Sequence, residues 1–158
     1  MTASGPGALA TADLAGTWLL RHWDLLLEDG QKVEPFGPHP QGIVVYTAEG
    51  RMLTTIGARD REACEADLIS GTDAARRSAV ATFVAYAGTF RIEGRDVVHV
   101  VEMSLEPRWV GTEQRRHVQL SADGLELTLS TDALLVAGRL GRHQLIWERA
   151  PSGEEAPG

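Results

Sequence analysis

The stretch 111–120 carries two polar side chains, Gln114 and Arg116, on the face that an extended strand shares with Val118. Because side chains alternate between the two faces of a strand, an inward Val118 places both polar groups inside as well. The fork of N–H donors on a guanidinium suits a carboxylate, enolate or carbonyl oxygen of a ligand. A buried Arg without a partner is strongly disfavoured. The pattern therefore predicts a ligand site at Gln114 and Arg116, and a core ion pair between Arg116 and Glu102 is the alternative.

The preceding strand, 96–104, offers one ionisable residue on each of its faces, His99 on one and Glu102 on the other. An inward His99 is the natural acid–base group of a site, since an imidazole titrates near neutrality. An inward Glu102 would be desolvated, which raises the pKa of its carboxyl and makes it a candidate general base. The alternation allows one of the two inside and does not choose between them. The competing interpretation of His99 is a hydrogen-bonded core residue.

A third candidate lies in the stretch 16–27, where His22 and Asp24 have the same parity as Trp18. An Asp two residues from a His can orient the imidazole for base catalysis. The alternative places Asp24 in solvent near the rim of the domain. Trp109 follows Pro107 in a connection, where we expect it at the rim of a pocket. Six large residues are predicted to line the core or a substrate cavity: Tyr46, Met52, Phe83, Tyr86, Trp109 and Trp147.

No familiar metal or nucleophile motif accompanies these residues. The 5 histidines include no HxH or HxxxH pair, and Cys64 is the single cysteine of the chain. A GxSxG elbow, a Gly-rich phosphate loop and a dinucleotide fingerprint are all missing from the sequence. We therefore expect a protein that uses no metal and no cofactor.

Length and composition predict one globular domain with little affinity for polyanions. The chain has 158 residues and a formal net charge of −7, which argues against nucleic acid and against an anionic membrane surface. No apolar run reaches the ~18 residues that span a bilayer, and the first residues lack a secretory pattern. We expect a cytoplasmic protein with a disordered tail at 1–12, a domain at 13–150 and a flexible tail at 151–158. The sequence leaves open whether the protein forms a homodimer.

The candidate residues must be positioned by a mainly β fold. Period-two runs separated by Gly-containing turns predict about eight strands, mostly in hairpins, which indicates an antiparallel barrel. A helical insertion is expected near 60–84, as a short helix at 60–68 and a second that starts at Thr72 or Asp73 and runs to Tyr86. The predicted strands are 16–27, 43–46, 52–56, 89–92, 96–104, 111–120, 125–130 and 143–149.

Five short motifs resemble those of the lipocalin-like domain family, small barrels related to the calycins, over roughly Leu14 to Arg149. This resemblance implies a closed barrel around an apolar or mixed cavity, with Trp18 packed beneath the barrel against Arg149. Members of the family have no uniform activity, and some act as cofactor-free cyclases or isomerases in natural-product pathways. The motifs are GTW at 16–18, PFGP at 35–38, YTAEGRM at 46–52, DL..GTD at 67–73 and WVGTEQ.R at 109–116.

Together, the residues and the resemblance imply a barrel that encloses a hydrophobic, polyketide- or terpenoid-like metabolite of secondary metabolism. The first expectation is cofactor-free cyclisation or isomerisation, with one proton-transfer group and donors for a developing oxyanion. The alternative is a non-catalytic carrier or sequestering protein, which needs the same cavity without the proton-transfer group. A third interpretation is a structural protein whose barrel is filled by its own side chains.

Overall fold

The computed structural model describes residues 8–136 and 138–152, and these residues form an antiparallel β-barrel. A single turn of 3₁₀ helix at Pro107–Trp109 and two α-helices, α1 (Thr11–Leu14) and α2 (Asp73–Ala81), accompany the strands. The strands are β1 (Gly16–Leu27), β2 (Lys32–Val33), β3 (Gln41–Tyr46), β4 (Arg51–Gly57), β5 (Phe83–Glu93), β6 (Asp96–Ser104), β7 (Glu113–Leu120), β8 (Glu126–Ser130), β9 (Leu134–Val136) and β10 (Arg139–Arg149).

The barrel closes because its first and last long strands pair with each other. Strand β1 pairs with β10 along its length, from Trp18 opposite Arg149 to Leu27 opposite Gly141. Eight strands form the closed wall in the order β1-β3-β4-β5-β6-β7-β8-β10, while the short strands β2 and β9 extend β1 and β10. Full closure leaves the wall without an unpaired edge. The prediction of a mainly β, lipocalin-like antiparallel barrel is confirmed.

The two ends of the barrel differ in the length of their connections. One end, which we call the floor, holds the tight turns 47–50, 94–95 and 121–125, where Gly50, Gly94 and Gly124 adopt positive φ angles of 90°, 63° and 72°. Glycine is favoured at such positions because it has no Cβ. The other end, the mouth, holds the long connections 28–40, 58–82 and 105–112. Long connections at one end are suited to surround an opening.

The floor is sealed by a Trp–Arg contact. The ring of Trp18 is fully buried, and the guanidinium carbon of Arg149 lies 4.1 Å from its centroid. Arg149 also donates hydrogen bonds to the carbonyl oxygens of Asp13 (3.0 Å), Ala15 (2.9 Å) and Gly124 (3.0 Å). One side chain thus ties helix α1 and a floor turn to the last strand. This is the contact that the family resemblance implied for Trp18 and Arg149.

The helical insertion is shorter than predicted. Thr72 caps α2, its hydroxyl accepting from the backbone N–H of Ala75 at 3.1 Å, but the helix ends at Ala81 and β5 starts at Phe83. The predicted helical continuation to Tyr86 is wrong, because this segment pairs with β4 instead. The helix predicted at 60–68 is also wrong. Residues 61–70 are all exposed, and a short helix without a packed face is unstable in water.

Near the start of the described chain, helix α1 begins at Thr11 and Leu9 packs against the core. The remaining predicted tail residues, 1–7 and 153–158, lie outside the described part of the chain. In the part that is described, none of the helices has the length and apolar character needed to cross a bilayer.

Candidate functional site

The barrel encloses a cavity of about 680 Å³ that reaches the mouth. This volume lies in the range of small-molecule binding sites, so the interpretation of a barrel filled by its own side chains is wrong. Most of the wall is apolar, with Phe36, Val44, Ile56, Leu129 and Leu145 among the residues that contact the cavity.

Three buried polar side chains form a hydrogen-bonded series inside the barrel. The hydroxyl of Tyr46 lies 2.7 Å from Nε2 of His99, and the hydroxyl of Tyr86 lies 2.8 Å from Nδ1 of the same ring. His99 is 2 % exposed and faces inward with Val97 and Val101. The choice between His99 and Glu102 that the sequence left open is therefore decided by the fold, and His99 is the inward residue.

The hydrogen-bond pattern assigns the donor and acceptor roles in this series of side chains. A neutral imidazole has one N–H donor and one acceptor nitrogen, so one tyrosine donates to His99 and the other accepts from it. Tyr46 is 1 % exposed and does not contact the cavity, and His99 is the only hydrogen-bond partner of its hydroxyl among the described residues. Donation from Tyr46 to Nε2 leaves no buried hydroxyl proton unpaired. Nδ1–H of His99 then donates to Tyr86, whose own O–H proton is available to the cavity.

Burial keeps all three groups uncharged near neutrality. Desolvation, aided by the positive charge of Arg116, lowers the pKa of His99 to about 3. Desolvation also raises the pKa of the Tyr46 hydroxyl well above its usual value and raises the pKa of Tyr86, where Arg116 acts in the opposite direction. The three side chains are therefore neutral hydrogen-bonding groups at physiological pH.

Arg116 and Gln114 occupy the neighbouring strand and contact the cavity, as the alternation of β7 predicts. Nη2 of Arg116 donates to Oε1 of Gln114 at 2.8 Å, and Nη1 donates to the backbone oxygen of Arg115 at 3.0 Å. Arg116 and Tyr86 both border the cavity. No carboxylate in the described part of the chain forms an ion pair with Arg116, so the alternative of a core ion pair with Glu102 is wrong.

Two further N–H donors border the same cavity. Nε1 of Trp23 donates to Nδ1 of His143 at 3.0 Å, which assigns the proton of the neutral His143 ring to Nε2. Burial, with a contribution from the charge on Arg116, lowers the pKa of His143. The Nε1–H of Trp147 is buried and has no hydrogen-bond partner among the described residues. A ligand that carries oxygen atoms can therefore find donors on several walls.

Two residues predicted for the catalytic site lie outside the barrel. A register shift in β1 between Leu20 and His22 turns His22 to the exposed surface, so the expected shared face with Trp18 is wrong. Glu102 is exposed as well and binds Nη1 of Arg51 at 3.0 Å. Neither side chain contacts the cavity.

The aromatic candidates are divided between the cavity and the core. Trp109 lies at the mouth and contacts Tyr86 edge-on, with ring centroids 5.8 Å apart. Phe83, Tyr86 and Trp147 contact the cavity too. Met52, by contrast, is 3 % exposed and belongs to the core, and Tyr46 reaches the cavity only through its bond to His99.

Sequence reasoning did not select Trp23, Phe36 and His143 as site residues. Alternation from Trp18 predicts that Trp23 faces outward, but the register shift in β1 turns the odd-numbered residues after Leu20 inward. His143 has the same parity as Leu145 and Trp147 in β10, so alternation in that strand was a signal for it. Phe36 lies in an irregular connection, where no periodicity applies. In the described ranges 8–136 and 138–152, three or more His, Cys, Asp or Glu side chains do not gather in a metal-binding group.

The chain is similar to known small barrel proteins. The sequence matches the lipocalin-like domain family over residues 15–150. The chain belongs to this family. The resemblance drawn from the five motifs is thus confirmed, and it covers the whole closed barrel.

One curated relative of this lipocalin-like chain is the "4'-hydroxy-3'-methoxypropiophenone carrier protein ppsC" of Aspergillus oryzae. The two sequences are 36% identical over 93 residues, which cover 54% of this chain and 83% of the relative. The name of that relative describes a carrier protein.

Proposed function

We propose that this lipocalin-like protein binds and carries a small aromatic metabolite that bears oxygen substituents. The observation that carries the proposal is the cavity of about 680 Å³, whose wall is mainly apolar but presents Arg116, Tyr86 and His143. An apolar cavity provides most of the binding free energy, while a few placed polar groups orient the ligand.

The carrier function is favoured over cyclisation or isomerisation by the state of His99. The isomerase hypothesis needs a proton-transfer group near neutral pH, and the pKa of His99 is lowered to about 3. A base that weak accepts a proton poorly at pH 7. The remaining polar residues of the wall donate hydrogen bonds or hold a fixed charge, which suits binding without chemistry.

The named ligand of the relative suggests a first probe. 4'-Hydroxy-3'-methoxypropiophenone combines one aromatic ring with a phenol, a methoxy group and a ketone. Its ring matches the aromatic side chains of the mouth, namely Trp23, Phe36 and Trp109, and its oxygens match the donors of the wall.

Tryptophan fluorescence provides a direct binding measurement, because Trp23, Trp109 and Trp147 contact the cavity. Titration with this ketone is expected to quench the emission saturably, with one site per chain confirmed by calorimetry. The control ligand is a compound with the same polar groups and a ring system too large for the cavity. If the ketone produces no saturable signal and no heat, the proposed ligand class is wrong.

Recovery of the ligand separates a carrier from an enzyme. After prolonged incubation with the protein, the ketone is extracted and compared with the starting material by chromatography and mass spectrometry. A carrier returns it unchanged. A product that forms only in the presence of the protein would instead support the cyclase or isomerase.

A cytoplasmic location and a place in secondary metabolism remain predictions from the sequence.

A further inference from the structure

The cavity contains a positive charge that the described part of the chain does not balance. Gln114 and a backbone oxygen accept hydrogen bonds from Arg116, and both acceptors are uncharged. The charge acts across the whole cavity, since it influences the pKa values of Tyr46 on β3, Tyr86 on β5, His99 on β6 and His143 on β10. Arg116 is partly buried, and a cation beside a mainly apolar cavity favours an anionic partner.

The acidic side chains near the mouth are engaged elsewhere. Glu106 binds Nε of Arg108 at 3.0 Å, and Glu113 binds Nη1 of Arg91 at 2.8 Å. Asp132 accepts from Nε2 of His117 at 2.7 Å. These are the carboxylates that border the cavity. Each has a basic partner, so none of the three forms an ion pair with Arg116.

The hydroxyl of Tyr86 is positioned to assist Arg116. It accepts a hydrogen bond from Nδ1–H of His99 and borders the same cavity as Arg116, which leaves its own proton to donate into the cavity. Accepting hydrogen bonds strengthens a hydroxyl as a donor. Arg116 and Tyr86 therefore both offer hydrogen-bond donors to an oxygen of a ligand in this cavity.

The ring contacts next to this donor pair favour an aromatic oxyanion. Tyr86 packs edge-on against Trp109, and Trp23 packs edge-on against Phe36 with ring centroids 4.8 Å apart. Rings placed in this way accept a further flat ring between or beside them. A phenol can enter such an apolar space uncharged and lose its proton inside, whereas a carboxylate must first shed tightly bound water.

We propose that the cavity binds its aromatic ligand as a phenolate, with the ionised oxygen on the guanidinium of Arg116 and the hydroxyl of Tyr86. This inference rests on the proposed carrier function and specifies the ionisation state of the ligand. On binding, the O–H bond of the phenol breaks, its electron pair stays on the oxygen, and the proton leaves to solvent. The complex then has an ion pair where the free protein has an isolated cation.

The consequence is a lowered pKa for the bound phenol. An opposite charge in contact lowers an acidic pKa by about 1–3 units, so the phenolate should bind at least about tenfold more tightly than the phenol. His99 and His143 stay neutral under these conditions, because burial and Arg116 lower their pKa values. Asp132 is exposed and keeps its bond to His117. The pH dependence of binding should therefore follow the ligand.

The experiment uses 4'-hydroxy-3'-methoxypropiophenone and its methyl ether, 3',4'-dimethoxypropiophenone, which cannot ionise. Absorbance spectra are recorded with the full-length protein at a pH below the pKa of the free phenol. The expected result is the phenolate band of the ligand, which appears in proportion to the bound fraction. The Kd of the phenol should fall as the pH rises toward its pKa, and the Kd of the ether should stay constant.

Two variants test the assigned residues. Arg116→Met should abolish the phenolate band and weaken phenol binding about tenfold or more, and it should weaken binding of the ether by a clearly smaller factor. Arg116→Lys retains the charge and should restore part of the band. The matched control is Arg51→Met, which removes an equal charge from an exposed position on β4, where Arg51 binds Glu102 outside the barrel. This control should behave as the wild type.

The outcomes separate the two proposals. If neither the phenol nor the ether binds, the carrier function itself fails for this ligand class. If both bind equally, with no phenolate band and no pH dependence, the cavity is a carrier site but the ionised ligand is ruled out. A phenolate band of wild-type strength in the folded Arg116→Met variant would also overturn the assignment, and ether binding shows that this variant is folded.

Discussion

Arg115 and Arg116 are neighbours on strand β7, yet the barrel wall places them in opposite electrostatic environments. Arg115 points outward and binds Asp96 at 3.0 Å as well as Glu93. Arg116 points inward and finds only the uncharged acceptors Gln114 and a backbone oxygen. Two residues of one type, adjacent in sequence, thus differ in the charge around them because alternation sends them to different faces.

The outer face shows what a balanced surface looks like in this protein. Arg91, Val98 and Arg115 lie in one row across strands β5, β6 and β7. Val98 is only 1 % exposed, so the two flanking Arg side chains cover it while their guanidinium groups bind carboxylates. Among the described residues, the inner face has one cation, Arg116, and no carboxylate forms an ion pair with it. The comparison shows that the arginines of the outer face have acidic partners, whereas the arginine of the cavity has only uncharged ones.

The largest expected effect is a loss of stability in acid caused by His99. Its pKa is about 3 in the folded chain against 6.5 in the unfolded chain, so the unfolded state takes up a proton first as the pH falls. This contribution is complete above pH ~6.5 and disappears toward pH ~3, at most about 5 kcal/mol at 1.36 kcal/mol per unit. Urea denaturation at a series of pH values measures it.

His117 on the outer face titrates with the opposite effect on stability, so a variant of His99 itself is needed as the control. Hydrogen bonds to Asp132 and Asp96 raise the pKa of His117, so His117 stabilises the fold below its unfolded pKa and loses that effect as the pH rises through its folded pKa. His99→Gln can still donate to one tyrosine and accept from the other but does not titrate. Its stability should fall less between pH ~6.5 and pH ~5; an unchanged slope would refute the role given to His99.

The next prediction concerns a substitution that removes the electrostatic difference between Arg115 and Arg116. Gln114→Glu places a carboxylate 2.8 Å from Nη2 of Arg116 and gives it the partner that Arg115 already has. We expect phenolate affinity to fall about 10–100-fold, since the new carboxylate competes for the guanidinium and repels the ligand. Gln119→Glu, at an exposed position of the same strand, is the matched control. Equal losses in both variants, measured by calorimetry, would contradict the comparison.

A smaller effect concerns the ligand-free protein. Arg116→Met removes an unbalanced cation from the cavity, so we expect the free energy of unfolding to rise by about 1 kcal/mol. Saturation with the phenol should reverse the order, because only the wild type gains the ion pair. Denaturation curves with and without ligand test both statements. A variant that is less stable than the wild type in both conditions would show that Arg116 serves the fold.

The smallest effect is expected on the outer face. Arg115→Met breaks two exposed ion pairs that water and salt already screen, so the melting temperature should change little. Differential scanning calorimetry at low and high salt measures the difference. A drop larger than the change caused by Arg116→Met would mean that the outer network, and not the cavity, governs the stability of this wall.

The sequence predicted the strands well because period-two patterns report directly on a half-buried wall. Alternation also placed Gln114 and Arg116 inside correctly. It failed for His22, since a one-residue shift in β1 reverses every later side chain and leaves no trace in composition. It could not separate His99 from Glu102, because valines occupy both faces of β6. Val98 is buried on the outer face by neighbours that only the folded barrel brings together.

The helical segment was harder to predict for a different reason. The apolar residues Val80, Phe83 and Val84 fit a helical stripe, yet pairing with β4 takes the chain from Phe83 onward into a strand. Tertiary pairing overrides local propensity in such cases.

The contact between Trp18 and Arg149 has a practical consequence for measurement. Helix α1 and the end of β10 are held together at the floor, opposite the connections that form the mouth. A linker attached at either end of the described chain would therefore emerge on the side away from the opening. Immobilised on a sensor chip through such a linker, the barrel would present its entrance to the flowing sample.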